Sequence, residues 1–331
     1  MKFRALFVAV LLTALSATLA AQQTTPATTP ASASATQPKP GQKLGEIAIT
    51  FDDLPSHGAL PPGVTRMDIV KRVLAVIEKE QLPPVTGMVN GARLQWDPKG
   101  TKGVLEAWRD AEQPLASHGF THLNLNEKPL DVWTADVEKN EPLLQKLAAY
   151  PEGQPQKQSW KYLRFPYLGE GETPQKRAAA RTWLTQHGYL VAEVTMSWGD
   201  YAWNETYARC SVKHDDVAIK RLHDTYLAAA RQNMWAERIE SFNAFGHDIP
   251  HVLLLHIGAF DAVMFSELVA QIRADGYKFV SLPQAEMDAA YSTPPNKLDG
   301  GGLFEDQVSR AKGLAIPHRD SYEKELAAMC R

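Results

Sequence analysis

The chain has 331 residues, 44% of them hydrophobic and 22% charged, and a formal net charge of −3. That is enough apolar material for one large domain or two ordinary ones, and the mild acidity makes it a poor candidate for nucleic-acid binding, which relies on basic patches. The two cysteines, Cys210 and Cys330, are too few and too far apart for a cysteine zinc site; a disulfide between them is left open, because spacing alone does not fix a pairing.

Residues 1–21 read as an export signal: Lys2 and Arg4, then the apolar "ALFVAVLLTALSATLA", then small residues at Ala20 and Ala21. The apolar run is shorter than the ~20 residues of a spanning helix, so the expectation is an exported protein, periplasmic or secreted, with no stable membrane insertion after cleavage. Residues 22–43, "QQTTPATTPASASATQPKPGQK", hold almost nothing that a core would bury and read as a flexible linker.

From Leu44 to about Tyr291 short apolar runs alternate with amphipathic patterns. Strands are expected at Gly45 to Phe51, Val85 to Gly91, Pro114 to His118, Tyr162 to Pro166, Tyr189 to Met196, His251 to His256 and Lys278 to Leu282. Helical patterns lie between them, with Thr173 before Pro174 at one start and Gly188 and Gly276 after two last turns. Such alternation argues for parallel βα units in a sheet or barrel. Between Trp203 and Pro250 a long stretch of helical periodicity is inserted, about residues 204–250, and is expected to form a flap beside any cleft. The tail, 292–331, reads as irregular before a short helical end.

Polar residues gather where strands should end. Asp52 and Asp53 follow the first strand, His118 and His122 the third, Arg164 ends the fourth, Asp200 follows the fifth and His256 ends the sixth. In a parallel barrel those ends share one face, where active sites are built. His118 and His122, four apart, are expected on one side of a helical turn, and a carboxylate would complete a two-His, one-Asp metal set with open positions. A second such pair, His247 and His251, is disfavoured because Pro250 restricts Ile249 away from helical geometry.

In order, "TFDD", "SHGFTH", "RFPY", "SWGDY" and "LLLH" resemble the five successive motifs of the polysaccharide deacetylases, carbohydrate esterase family 4, the NodB-homology domain. The likeness runs from about Gly45 to Asp288. It implies a distorted (β/α) barrel with about seven parallel strands, plus the helical insertion before the last catalytic strand, as a catalytic domain over 44–291. It further implies Asp53, His118 and His122 as ligands of a divalent metal, with zinc the first expectation and cobalt or nickel left open, and Asp52 as general base. Arg164 would orient Asp52 and itself be held by Asp200. The backbone N–H of Tyr167 would serve an oxyanion, His256 would protonate the leaving group, and Leu254 would line the acetyl pocket.

This chain departs from the family where Leu54 and Leu168 replace glycines, changes expected to place bulk beside the cleft. Trp198, Tyr201 and Trp203 are candidates for a sugar-stacking wall. His57 is a candidate for an extra ligand or a substrate contact. The expected activity is metal-dependent removal of acetyl groups from an N- or O-acetylated polysaccharide or oligosaccharide by metal-activated water. The alternatives are a metal-dependent amidase or esterase on a small non-sugar substrate, and a non-catalytic carbohydrate-binding protein on the same fold. Oligomeric state is not readable from the sequence.

Overall fold

The computed structural model describes residues 45–148 and 160–331. The expected signal and linker, 1–43, lie outside the described residues. Among the described residues no helix is long and apolar enough to cross a membrane.

Seven parallel strands form the sheet: β1 (Glu46–Leu54), β2 (Thr86–Val89), β3 (Leu115–Ser117), β4 (Tyr162–Leu163), β5 (Leu190–Val191), β6 (His251–His256) and β7 (Lys278–Val280). Hydrogen bonding follows the order β5-β4-β3-β2-β1-β6, with β7 paired to the start of β1. The curl closes through the extended segment after β5. There the Met196 N–H donates to Val252 O, and the Leu254 N–H donates back to Met196 O, both at 3.0 Å. The architecture is a distorted (β/α) barrel.

The helices are α1 (Arg66–Lys79), α2 (Arg93–Trp96), α3 (Val104–Asp110), α4 (Leu130–Ala148), α5 (Pro174–Gln186), α6 (Tyr201–Val212), α7 (Asp216–Phe245), α8 (Ala259–Ala274), α9 (Leu282–Ala285), α10 (Phe304–Lys312) and α11 (Glu323–Ala328). The alternation of β1 decides where it faces. Ile47, Ile49 and Phe51 join the large core shared with α1, α3 and α8, whereas Ala48 packs with Met88, Ala116 and Val252 in a smaller cluster inside the barrel. Asp52 is on the Ala48 face, at the carboxyl end.

The insertion is helical, as α6 and α7. The tail holds more structure than expected: 304–312 is a helix, because Phe304 and Val308 fall four apart and pack with Ala244. Cys210 and Cys330 are joined in a disulfide, and Arg319 bridges Glu240 of α7 and Asp306 of α10.

Candidate active site

The strand β1 runs on to Leu54, past the expected end at Phe51. Strict alternation would send Asp52 and Asp53 to opposite faces. The β1–β2 register shifts between Phe51 and Leu54, and Asp53 adopts φ 68°. A bulge of this kind re-aims a side chain, and both carboxylates line one cavity of about 810 Å³ at the carboxyl ends of the strands. Leu54 corrects the expectation of bulk beside the cleft: it is fully buried in the core, filling space against Gly87, where a Cβ would lie 2.7 Å from its Cδ2. Leu168, by contrast, does line the cavity.

His118 and His122 come together, though not on a helical turn. Gly119 (φ 69°) and His122 (φ 61°) make the segment a loop. The buried Asp136 of α4 shapes it, accepting from the Phe120 N–H at 2.9 Å, the Thr121 N–H at 3.0 Å and the Thr121 hydroxyl at 2.6 Å. Backbone donors satisfied in this way favour the loop over a helix.

Three acceptors converge at this point. His118 Nδ1 lies 2.9 Å from the Arg164 carbonyl, so Nδ1 carries the proton and Nε2 presents a lone pair. Nε2 of His118 is 3.9 Å and Nε2 of His122 is 3.5 Å from Asp53 Oδ1, a buried oxygen with no hydrogen-bond partner. The other oxygen, Oδ2, is held by His57 Nδ1 at 2.7 Å and by the Arg93 guanidinium at 3.1 Å. One braced oxygen and one orphaned oxygen, facing the Nε2 atoms of two imidazoles, suits a divalent cation. Asp53, His118 and His122 therefore fit the expected metal, with ligand atoms all within 4.8 Å of one another.

Electrostatics agree with that donor set. Burial works against the charge on Asp53, but the hydrogen bond from His57 and the charges of Arg93, His57 and His118 hold its carboxyl well below the usual range. Burial, with His118 nearby, pushes His122 down to about 3, and burial likewise lowers His118. Both imidazoles are neutral at pH 7, as ligands must be.

Beside this set, Asp52 is paired in register with His256 on the neighbouring strand β6. The Arg164 guanidinium donates to Asp52 Oδ1 at 3.0 Å, to Thr50 Oγ1 at 3.1 Å and to the Ala192 carbonyl at 2.7 Å. Asp200 corrects an expectation. It holds His256 rather than Arg164, lying 3.0 Å from Nδ1 and accepting from the backbone N–H at 2.6 Å. The reason is its place before α6, next to the end of β6, while the donors of Arg164 reach Asp52, Thr50 and the carbonyls of Ala192 and Glu193 just after β5. Burial opposes charge on His256, but Asp200, by charge and hydrogen bond, with Asp53 and Asp52 beyond it, raises its pKa to about 10.

Tyr167 has φ 58° and an exposed ring set against His122. Leu254 is buried at the cavity wall. Tyr201 lines the cavity, its ring 5.5 Å from that of His256. Trp198 and Trp203 do not form a sugar wall: both are core residues packed edge-on against Tyr226. His247 and His251 join neither of the two metal-competent groups among the described residues, which are Asp53, His118 and His122, and Asp53, His57 and His256. Sequence reasoning missed Arg93, Asp136 and the tail residues Glu323 and Leu326, whose positions depend on contacts distant in sequence.

Residues 39–189 match the family model described as Polysaccharide deacetylase. Solved structures similar to it include a peptidoglycan deacetylase from Bacillus subtilis, at 18% identity over 75% of this chain and 92% of that one, with a TM-score of 0.46. A chitin deacetylase from the fungal pathogen Colletotrichum lindemuthianum is similar at 17% identity over 74% and 89%, with a TM-score of 0.47. A family 4 carbohydrate esterase from Streptomyces lividans is similar at 17% identity over 73% and 95%, with a TM-score of 0.42. No curated protein matches the chain.

Proposed function

We propose that this protein is an exported, metal-dependent deacetylase of an N- or O-acetylated carbohydrate. The observation that carries the reading is the orphaned, buried Asp53 Oδ1 between two imidazole nitrogens, set beside an Arg-held Asp52 and an Asp-held His256. The match of residues 39–189 to the Polysaccharide deacetylase model supports the same reading.

Asp53, His118 and His122 would hold the cation, zinc by first expectation. When bound, a divalent ion there supplies Lewis acidity, lowering the pKa of water toward roughly 7 and polarising an acetyl carbonyl. Asp52 acts as the base that takes the proton of the attacking water. The Arg164 guanidinium holds Asp52 Oδ1 at 3.0 Å and so orients the carboxylate. The N–H of Tyr167 donates to the oxygen that gains charge as the acetyl carbon becomes tetrahedral. Leu254 encloses the methyl group. His256, kept protonated by Asp200, gives its proton to the departing amine or alcohol, and the products are acetate and the free sugar group.

Acetate release by the mature protein tests the reading, with a panel of acetylated sugars and an aryl acetate, each with chelator and with added zinc. Zinc-restored release from the sugars supports it. Zinc bound at one equivalent with no release from any substrate overturns catalysis and leaves a carbohydrate-binding protein. Release from the aryl acetate alone leaves the small-substrate amidase or esterase.

A further inference from the structure

One wall of the cavity owes nothing to the strand ends. Tyr201, Glu205 and Arg209 of α6 and Glu323, Leu326 and Ala327 of α11 line the same space as Asp52, Asp53 and His256. The short helix α11 is held there from several directions. Leu326 is buried, and its carbonyl accepts from the Thr206 hydroxyl at 3.0 Å and the Arg209 guanidinium at 2.9 Å. Arg221 pairs with Glu325, and Cys330 is bonded to Cys210 of α6. Nearer the reacting groups, Glu323 accepts a hydrogen bond from the Tyr201 hydroxyl. Tyr201 in turn sits edge-on beside His256.

Resting on the deacetylase reading, we propose that the C-terminal tail completes the substrate site: Tyr201 and Glu323 are specificity-determining residues that bind the sugar whose amine or hydroxyl is set free. The pair lies on the His256 side, where the leaving group departs. A phenol ring with an exposed face, next to a carboxylate with acceptor capacity to spare, provides both parts of sugar recognition. The ring covers an apolar C–H face, and the carboxylate accepts from ring hydroxyls. The acetyl group itself is handled by the strand-end residues, so the tail acts on which molecule is deacetylated and not on whether an acetyl group is cleaved.

Helix α11 is held by one covalent bond, the buried Leu326 and a few polar contacts, so its contribution is separable. Glu323→Gln, Tyr201→Phe and the double variant Cys210→Ser with Cys330→Ser are assayed on two substrates, a tetramer of N-acetylglucosamine and 4-nitrophenyl acetate. Glu323→Gln is expected to lose about tenfold in kcat/KM on the tetramer, mainly through KM, as loss of one hydrogen bond to a charged group implies, while Tyr201→Phe, which keeps the ring, and the double serine variant, which loosens α11, lose a smaller factor in the same direction. Turnover of the aryl acetate by Glu323→Gln is expected to stay within about twofold. Equal losses on both substrates, no loss on either, or wild-type hydrolysis of the aryl acetate alone overturns the proposal. Wild-type protein loaded with zinc that cleaves neither substrate fails the deacetylase reading itself, a result seen before any variant is compared. A thermal melt of Glu323→Gln that matches the wild type separates lost recognition from lost folding.

Discussion

The strand ends and the helical wall of this molecule place their functional groups by different means. At the strand ends, each charged group meets a partner carried by another strand end or its loop across the barrel mouth: Asp52 meets Arg164 after β4, His256 meets Asp200, and His118 meets the Arg164 carbonyl. In the wall, Cys210 meets Cys330 across 120 residues, and Tyr201 meets Glu323. Chemistry is therefore tied to the hydrogen-bond ladder, whereas access is tied to a tail that arrives last.

That contrast breaks most visibly at the strand ends. Asp53→Ala should abolish stoichiometric zinc binding, read by metal analysis after dialysis. Asp52→Asn should keep the metal and lower kcat by roughly 10²- to 10⁴-fold, the range for a positioned base. If both variants lose metal equally, the division of labour between the adjacent carboxylates is wrong.

In the wall, removing the disulfide should cost stability of about 2–5 kcal/mol, read by urea unfolding of the double serine variant. A loss of stability with metal binding intact sharpens the separation of the two regions. A smaller effect is expected at the loop: Asp136→Ala removes the acceptor of the Thr121 N–H and hydroxyl, which costs about 1–3 kcal/mol, and should weaken zinc binding although the residue touches no ligand side chain.

The smallest effect concerns pH. Burial raises Glu305, on α10 against His251 at the start of β6, to about 7, although the nearby charge of His251 opposes the rise. The folded state thus keeps a proton that the unfolded chain releases above about 4.5. Its contribution to stability is complete below that pH and lost as pH climbs to about 7. Glu305→Gln should therefore gain stability relative to the wild type across that window, measured as the difference in urea midpoints at pH 4.5 and pH 7.5. A flat difference rejects the shift.

Much of the fold was legible because apolar runs and end signals are local. Ile47, Ile49 and Phe51 mark β1 by alternation alone, and the polar residues at strand ends announce a common face. What escaped was non-local. The loop carrying His118 and His122 takes its shape from Asp136, on a later helix. Leu54 turns into the core because Gly87 leaves room for it. Trp198 has the composition of a sugar platform but is buried against Tyr226, a residue of the insertion. Asp200 adjoins both possible partners in sequence logic, and only the closing of the barrel between Met196 and β6 decides for His256.

The pairing of Asp52 with His256 across β1 and β6 sets the tolerance of the proposed reaction. Their backbones are locked one strand spacing apart by a ladder six residue pairs long, running from Ile47 with His251 upward. Thermal motion that displaces one of them carries the other along. A shift of either strand by one position turns the side chain to the opposite face, so variation along this seam is all-or-nothing, and a lineage adapting this scaffold to new sugars is free to alter the wall while the seam stays fixed.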